Sequence, residues 1–271
     1  MKNNNISTLI KGFIIGGTML VPGVSGGTMA MILGIYEDLI SAVSNFMKQK
    51  RQSLIFLGLF CLGAFAGMAL LAKGILTLLE NYNMPVMYFF IGAVVGGIPM
   101  ILKSCGLKRL SLSTIIYPMI GAAVVMSVEL IPKGLFEINS MYSPSGLLIL
   151  FIAGFIAAIA LILPGISVSF VLLVLGIYEN LIKAFDQFDI VYLGILALGL
   201  AAGIIGTTKI LDKAMKKYTR PTYLIILGFV IGSVIPVFPG APSGIGLVIC
   251  PVCLILGIGI IQLLFMLDKE S

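Results

Sequence analysis

Long apolar runs separated by short polar breaks make up most of this chain, and the runs are of two kinds. Residues 53–72, 85–102, 114–131, 190–208, 222–238 and 245–267 are continuous enough to predict bilayer-crossing helices, which need roughly 17–25 residues. Segments 12–46 and 154–188 differ, because each carries Pro-Gly-x-Ser inside its apolar run, after about ten apolar residues. Ten helical residues rise only about 15 Å, half of the hydrocarbon core. Proline followed by glycine breaks a helix at that point. Each segment is therefore either a kinked full span or a re-entrant hairpin with its tip near the midplane.

Alignment of the chain with itself shows a duplication. Residues 12–46 and 154–188 share 15 of 35 positions at an offset of 142, including Pro22/Pro164, Gly23/Gly165, Ser25/Ser167 and Glu37/Glu179. Farther on the offset becomes 136, pairing Gly63/Gly199, Gly67/Gly203, Lys73/Lys209, Tyr82/Tyr218, Pro85/Pro221 and Gly92/Gly228. Shared Leu and Gly arise easily in apolar sequence, whereas Pro, Lys, Tyr and Glu recurring in the same order do not. The expected organisation is a single membrane domain over 1–271, with repeats at 8–131 and 146–267.

Charge separates the two topologies. If both motif segments re-enter, the loops near Lys48–Arg51, Lys103–Arg109 and Lys213–Arg220 share a side with both termini. That side then carries 14 of the 17 Lys and Arg, leaving Lys73, Lys133 and Lys183 for the other. Full spans would scatter the clusters and break the positive-inside bias. The re-entrant reading follows, with both termini cytoplasmic. Each repeat then contributes three full crossings, so the second is inverted relative to the first. The expected fold is an all-α polytopic membrane protein built from two inverted-topology repeats, each a re-entrant broken-helix hairpin plus about three transmembrane helices. Broken helices in matching positions point to a transporter with its substrate site where the breaks meet.

Composition narrows the chemistry. The chain is 59% hydrophobic and 10% charged, with a mean hydropathy of +1.16. A soluble domain has about 25% charged residues, so an ordinary water-soluble enzyme is excluded. There is no His, which removes the commonest general base and metal ligand. Cys250-Pro-Val-Cys253 has redox-motif spacing without a thioredoxin-like context, and the four Cys read as small core hydrophobes. No cofactor, metal or nucleic-acid partner is expected. The apolar stretch after the N-terminus lacks a convincing signal-peptidase site, so it reads as retained.

The breaks have the chemistry of an anion site. Gly23, Ser25, Gly26, Gly27 and Thr28 in the first, and Gly165, Ser167 and Ser169 in the second, offer backbone N–H groups and hydroxyls beside a new helix start. The alternative is that these small residues merely allow close helix packing. Glu37 and Glu179 end a Gly-Ile-Tyr-Glu motif in both halves, and helical spacing puts each about two turns beyond its break. A carboxylate near a bound phosphate favours proton uptake, so H⁺ or Na⁺ coupling is one reading and an interfacial Glu paired with Lys the other. Lys73, Lys209 and Arg220 are weaker headgroup candidates, since long basic chains at helix ends usually snorkel. From these residues the reading reaches a transporter of something anionic, with wide glycine faces suited to a lipid.

PGVSGGTMAMILGIYE and, 142 residues later, PGISVSFVLLVLGIYE resemble the motifs of the PopT-type bacterial polyprenyl-phosphate (undecaprenyl-phosphate) translocase family, formerly a domain of unknown function. The resemblance extends over nearly the whole chain. It implies a flippase of the bacterial cytoplasmic membrane that returns undecaprenyl phosphate from the outer to the inner leaflet for cell-envelope synthesis. It places the family's motif role on Pro22, Gly23, Ser25, Gly26, Gly27, Thr28 and Glu37, and on Pro164, Gly165, Ser167, Ser169 and Glu179. Val168 departs from the glycine expected there. The competing readings are an undecaprenyl-pyrophosphate phosphatase-like membrane enzyme and a small-anion transporter. Against the enzyme, no Asp or Glu precedes Glu37 and the first break holds no Arg. Oligomeric state has no signal in the sequence.

Overall fold

The structure, a computed structural model, describes residues 4–106, 111–134 and 143–270. Lys2, Lys108 and Arg109, counted in the charge asymmetry above, lie outside the described residues. Within them all regular structure is helical. The first half contains α1 (Asn5–Thr18), α2 (Gly26–Ile32), α3 (Tyr36–Ser44), α4 (Lys50–Ser104) and α5 (Leu112–Glu129). The second contains α6 (Pro144–Ile162), α7 (Val168–Val174), α8 (Tyr178–Asp186), α9 (Ile190–Lys217), α10 (Thr219–Gly232), α11 (Val234–Val237) and α12 (Gly246–Glu270). Five of these, and α10 continued into α11, are long and apolar enough to cross a membrane, which makes six spans, or up to eight if each bent pair counts as one. This is a multi-pass membrane protein.

Local chemistry explains the breaks. After α1 the chain turns through Pro22 and Gly23, whose φ of +79° suits glycine, and Ser25 stands at the N-cap position of α2 without a side-chain capping bond. After α6, Leu163 is extended ahead of Pro164, Gly165 takes φ +83°, and the Ser167 hydroxyl accepts from the Phe170 N–H at 3.4 Å. The long α4 is bent at Tyr82 (φ −137°, ψ 43°), three residues before Pro85, which has no N–H to give the preceding turn. Tyr218, three residues before Pro221, takes nearly the same conformation between α9 and α10 (φ −124°, ψ 49°).

Two expectations need correction. The helix before the second break is α6, 19 residues long rather than about ten, because the apolar run starts at the Ser143-Pro144 cap and continues unbroken. The Gly-Ile-Tyr-Glu motif does not continue the helix that follows each break. Gly34 and Gly176 are left-handed and end α2 and α7, with Ile35 N–H returning to the Ala30 carbonyl and Ile177 N–H to that of Leu172. The chain then bends by 114° into α3 and by 106° into α8.

Glycine sets the packing. A Cβ at Gly63 or Gly67 of α4 would fall on the carbonyl oxygens of Leu9 and Phe13 in α1. A Cβ at Gly199 or Gly203 of α9 would meet those of Phe151 and Phe155 in α6, the equivalent residues in the second half. Helices in lipid gain little from burying apolar surface, so close backbone approach is what holds them. The last helix of each half is exchanged. α12 lies on α4, with Gly92 against the Leu254 carbonyl, and α5 lies on α10, with Gly228 against that of Pro118.

Side-chain contacts identify the ends of the bundle. At one end Ser44 donates to Asp212 (3.3 Å), Arg220 donates to Thr114 (3.2 Å) and the Lys103 ammonium lies over the Phe265 ring. That end holds the start of α1, the end of α4, the α9–α10 junction and the last turns of α12. At the other end the Tyr88 hydroxyl donates to the Gly240 carbonyl at 3.0 Å.

Candidate functional site where the helix breaks meet

The two breaks touch. The Gly165 N–H donates to the Thr28 hydroxyl at 2.8 Å, and Gly27 lies against the Ile162 carbonyl and Pro164. The Tyr36 hydroxyl also crosses between halves, donating to the Ile162 carbonyl at 2.8 Å. α2 is the more deeply placed of the short helices, with Gly27 through Ile32 all buried. In α7 only Val171, Leu172 and Val174 are buried.

Beside this contact is a cavity of about 450 Å³ bounded by both breaks. Ser25, Gly23 and Gly26 face it from the first half, Ser167 and Ser169 from the second, and Leu20 and Tyr178 close its wall. Among the described residues no charged side chain lines it. α2 and α7 have seven residues each, so their dipoles are small and the useful groups are hydroxyls and first-turn N–H donors. Neutral donors in a confined cavity suit an anion, whose charge strengthens each hydrogen bond.

The other candidates divide. Thr28 and Gly165 spend their polar atoms on each other, and Gly27 is packed against backbone, so these three hold the breaks together. Glu37 stays exposed but accepts a hydrogen bond from the Tyr223 hydroxyl of α10. Glu179 is exposed, and among the described residues it has no partner; Tyr178 next to it lines the cavity. Lys73 and Lys209 are exposed on α4 and α9, away from the cavity. Arg220 is half-buried at the end of the bundle, bonded to Thr114. Burial pushes the nearby Cys105 thiol up to about 11 against the opposing pull of Arg220.

Sequence reasoning missed three residues. Tyr36 and Tyr223 make bonds between halves, yet the residue equivalent to Tyr223 is Met87, so the repeat gives no hint of it. Lys11, 8% exposed, lines a separate cavity of about 350 Å³ with Asn4 and Phe265, and a lone charge within an apolar run was the available signal.

Comparison with known proteins gives the family. A family described as undecaprenyl phosphate translocase-like matches residues 15–243. A polyprenyl-phosphate transporter of Staphylococcus aureus (strain NCTC 8325 / PS 47) is 36% identical over 250 residues, 88% of this chain and 87% of that one. A polyprenyl-phosphate transporter of Vibrio cholerae serotype O1 (strain ATCC 39315 / El Tor Inaba N16961) is 30% identical over 250 residues, 87% and 78% of the two chains. No solved structure matches. Both relatives are named as transporters rather than enzymes. With the match spanning both breaks, the chain belongs to the undecaprenyl phosphate translocase-like family.

Proposed function

We propose that this protein is a flippase that moves undecaprenyl phosphate, or a similar polyprenyl phosphate, from the outer to the inner leaflet of the bacterial cytoplasmic membrane. The phosphate sits between the two Pro-Gly-x-Ser breaks. The observation that carries this reading is the cavity of about 450 Å³ walled by both breaks and supplied with Ser25, Ser167 and Ser169. The cargo named for the two relatives supports the lipid phosphate over a free anion. In this reading the motif segments are re-entrant, the repeats are inverted, and the end holding the Lys48–Arg51 cluster and both termini is cytoplasmic.

An asymmetry between the halves supports alternating access. The bond from Tyr36 to the Ile162 carbonyl has an equivalent at the 142-residue offset, Tyr178 to Leu20. Both of those residues line the cavity, and among the described residues no bond joins them. The structure is then one state of a rocking pair, closed at Tyr36 and open at Tyr178. In the other state Tyr178 donates to Leu20 and Tyr36 lets go. Uptake of H⁺ or Na⁺ at Glu37 or Glu179 drives the exchange.

The test is leaflet exchange of undecaprenyl phosphate in liposomes holding the purified protein, with phosphate release from undecaprenyl pyrophosphate followed in parallel. Exchange without hydrolysis is expected. Replacing Ser25 and Ser167 together by Ala slows exchange about tenfold or more, since each hydrogen bond to a charged group is worth about 1.5–3 kcal/mol. Full-speed exchange by that variant would move the phosphate elsewhere, and hydrolysis would overturn the transporter reading.

A further inference from the structure

A second concavity, of about 280 Å³, lies directly behind the headgroup cavity and has a different character. The two share Met19, Gly26 and Leu161 as walls, so one amphiphilic molecule reaches both. Ala30 lines the second cavity deep in the protein, and the exposed Cys61 of α4 marks its lipid-facing rim. Tyr36 and Thr208 are its lining hydroxyls, and both are turned onto backbone, Tyr36 to the Ile162 carbonyl and Thr208 to that of Ile204 at 2.6 Å. Apart from the Cys61 thiol at its rim and the Met19 thioether, the groove therefore presents hydrocarbon.

We infer that this groove seats the first isoprenoid units of the lipid whose phosphate occupies the adjoining cavity. The inference rests on the phosphate reading above. Bulk lipid competes for any groove open to the membrane, and acyl chains are as apolar as the groove, so transfer from lipid gives no net hydrophobic gain. Two things favour the cargo's own chain. Its covalent attachment to the bound phosphate gives it a high effective concentration at the shared wall. Methyl branches also fit a surface made uneven by Gly26, Gly27 and Ala30, where dispersion contacts reward shape. Met19, flexible and polarizable, stands between headgroup and chain and adapts to either. The groove is thus a selectivity element, distinguishing polyprenyl phosphates from straight-chain lipid phosphates that carry the same headgroup.

Cys61 supplies a native reporter, since Cys105 and Cys250 are buried. The full chain in nanodiscs is labelled with monobromobimane, and a Cys61→Ser variant sets the background from Cys253. Geranylgeranyl phosphate, hexadecyl phosphate and inorganic phosphate are compared, with binding of each read separately from thermal stabilisation. Geranylgeranyl phosphate at about ten times its Kd slows Cys61 labelling about tenfold, while the other two leave it unchanged. Stabilisation by geranylgeranyl phosphate without slower labelling overturns the groove and leaves the phosphate cavity standing. Equal slowing by hexadecyl phosphate overturns the isoprenoid selectivity. Neither stabilisation nor slowing overturns the phosphate reading, and the groove with it.

Discussion

Thr28 shows how one hydroxyl holds two distant segments together. Its oxygen takes the Gly165 N–H, a donor that the second break leaves without a helical acceptor, and the pair is buried. Thr28→Val keeps the shape and removes the acceptor, so the stranded N–H costs about 1–3 kcal/mol. A lower Tm in detergent is expected, and Thr28→Ser restores it. The acidic residues make a different prediction. If Glu37 and Glu179 carry the coupling proton, Glu37→Gln and Glu179→Gln each flatten the pH dependence of exchange. Unchanged rates and pH profiles in both variants would remove coupling from these carboxylates. Ser25 and Thr28 looked alike in the sequence, two hydroxyls three residues apart. Their separation into one cavity wall and one internal bond depends on how α2 rotates against the second break, which no local pattern specifies.

The helices were legible wherever a local rule applies. Apolar runs of sufficient length became spans, and Pro-Gly produced breaks where expected. The bends at Gly34 and Gly176 were equally local, glycine ending a short helix, but the eye follows apolar periodicity through them. Packing adds what propensity omits, because glycines of identical appearance have unlike surroundings. Gly67→Ala forces its methyl into the α1 backbone at Phe13, at a cost of about 1–3 kcal/mol for overpacking. Gly58→Ala meets nothing within 4 Å and gains up to about 1 kcal/mol of helix propensity. Thermal unfolding of the two variants side by side checks the contrast. Equal stabilities would mean that α1 and α4 do not approach as closely as the structure has them.

At the scale of the molecule, the two halves make matching contacts within their first helices and unmatched ones at the centre. Tyr36 is bonded across the halves, whereas Tyr178 faces a cavity. If these are alternative latches, removing either hydroxyl shifts the balance of the two states by about fivefold, in opposite directions, for a bond worth about 1 kcal/mol. Tyr36→Phe lowers the accessibility of a Ser169→Cys thiol to a water-soluble reagent, and Tyr178→Phe leaves it high or raises it. Parallel changes in both variants would dispose of the exchange.

The sequence by itself determined the membrane class, the duplication, the places where helices break and the family resemblance. Each depends on composition, on spacing along the chain, or on the backbone limits of proline and glycine. Only the tertiary structure decided that the last helix of each half lies on the other half, and that the two breaks meet through Thr28 and Gly165. It also decided which serines face a cavity and which residue donates to Glu37. The repeat pairs residues by position and so gives equivalents equal standing. Contact between the halves breaks that equality where the repeats differ in sequence: Phe170 stands at the position equivalent to Thr28 and Met87 at that of Tyr223, so the bonds of Thr28 and Tyr223 have no counterpart in the other half.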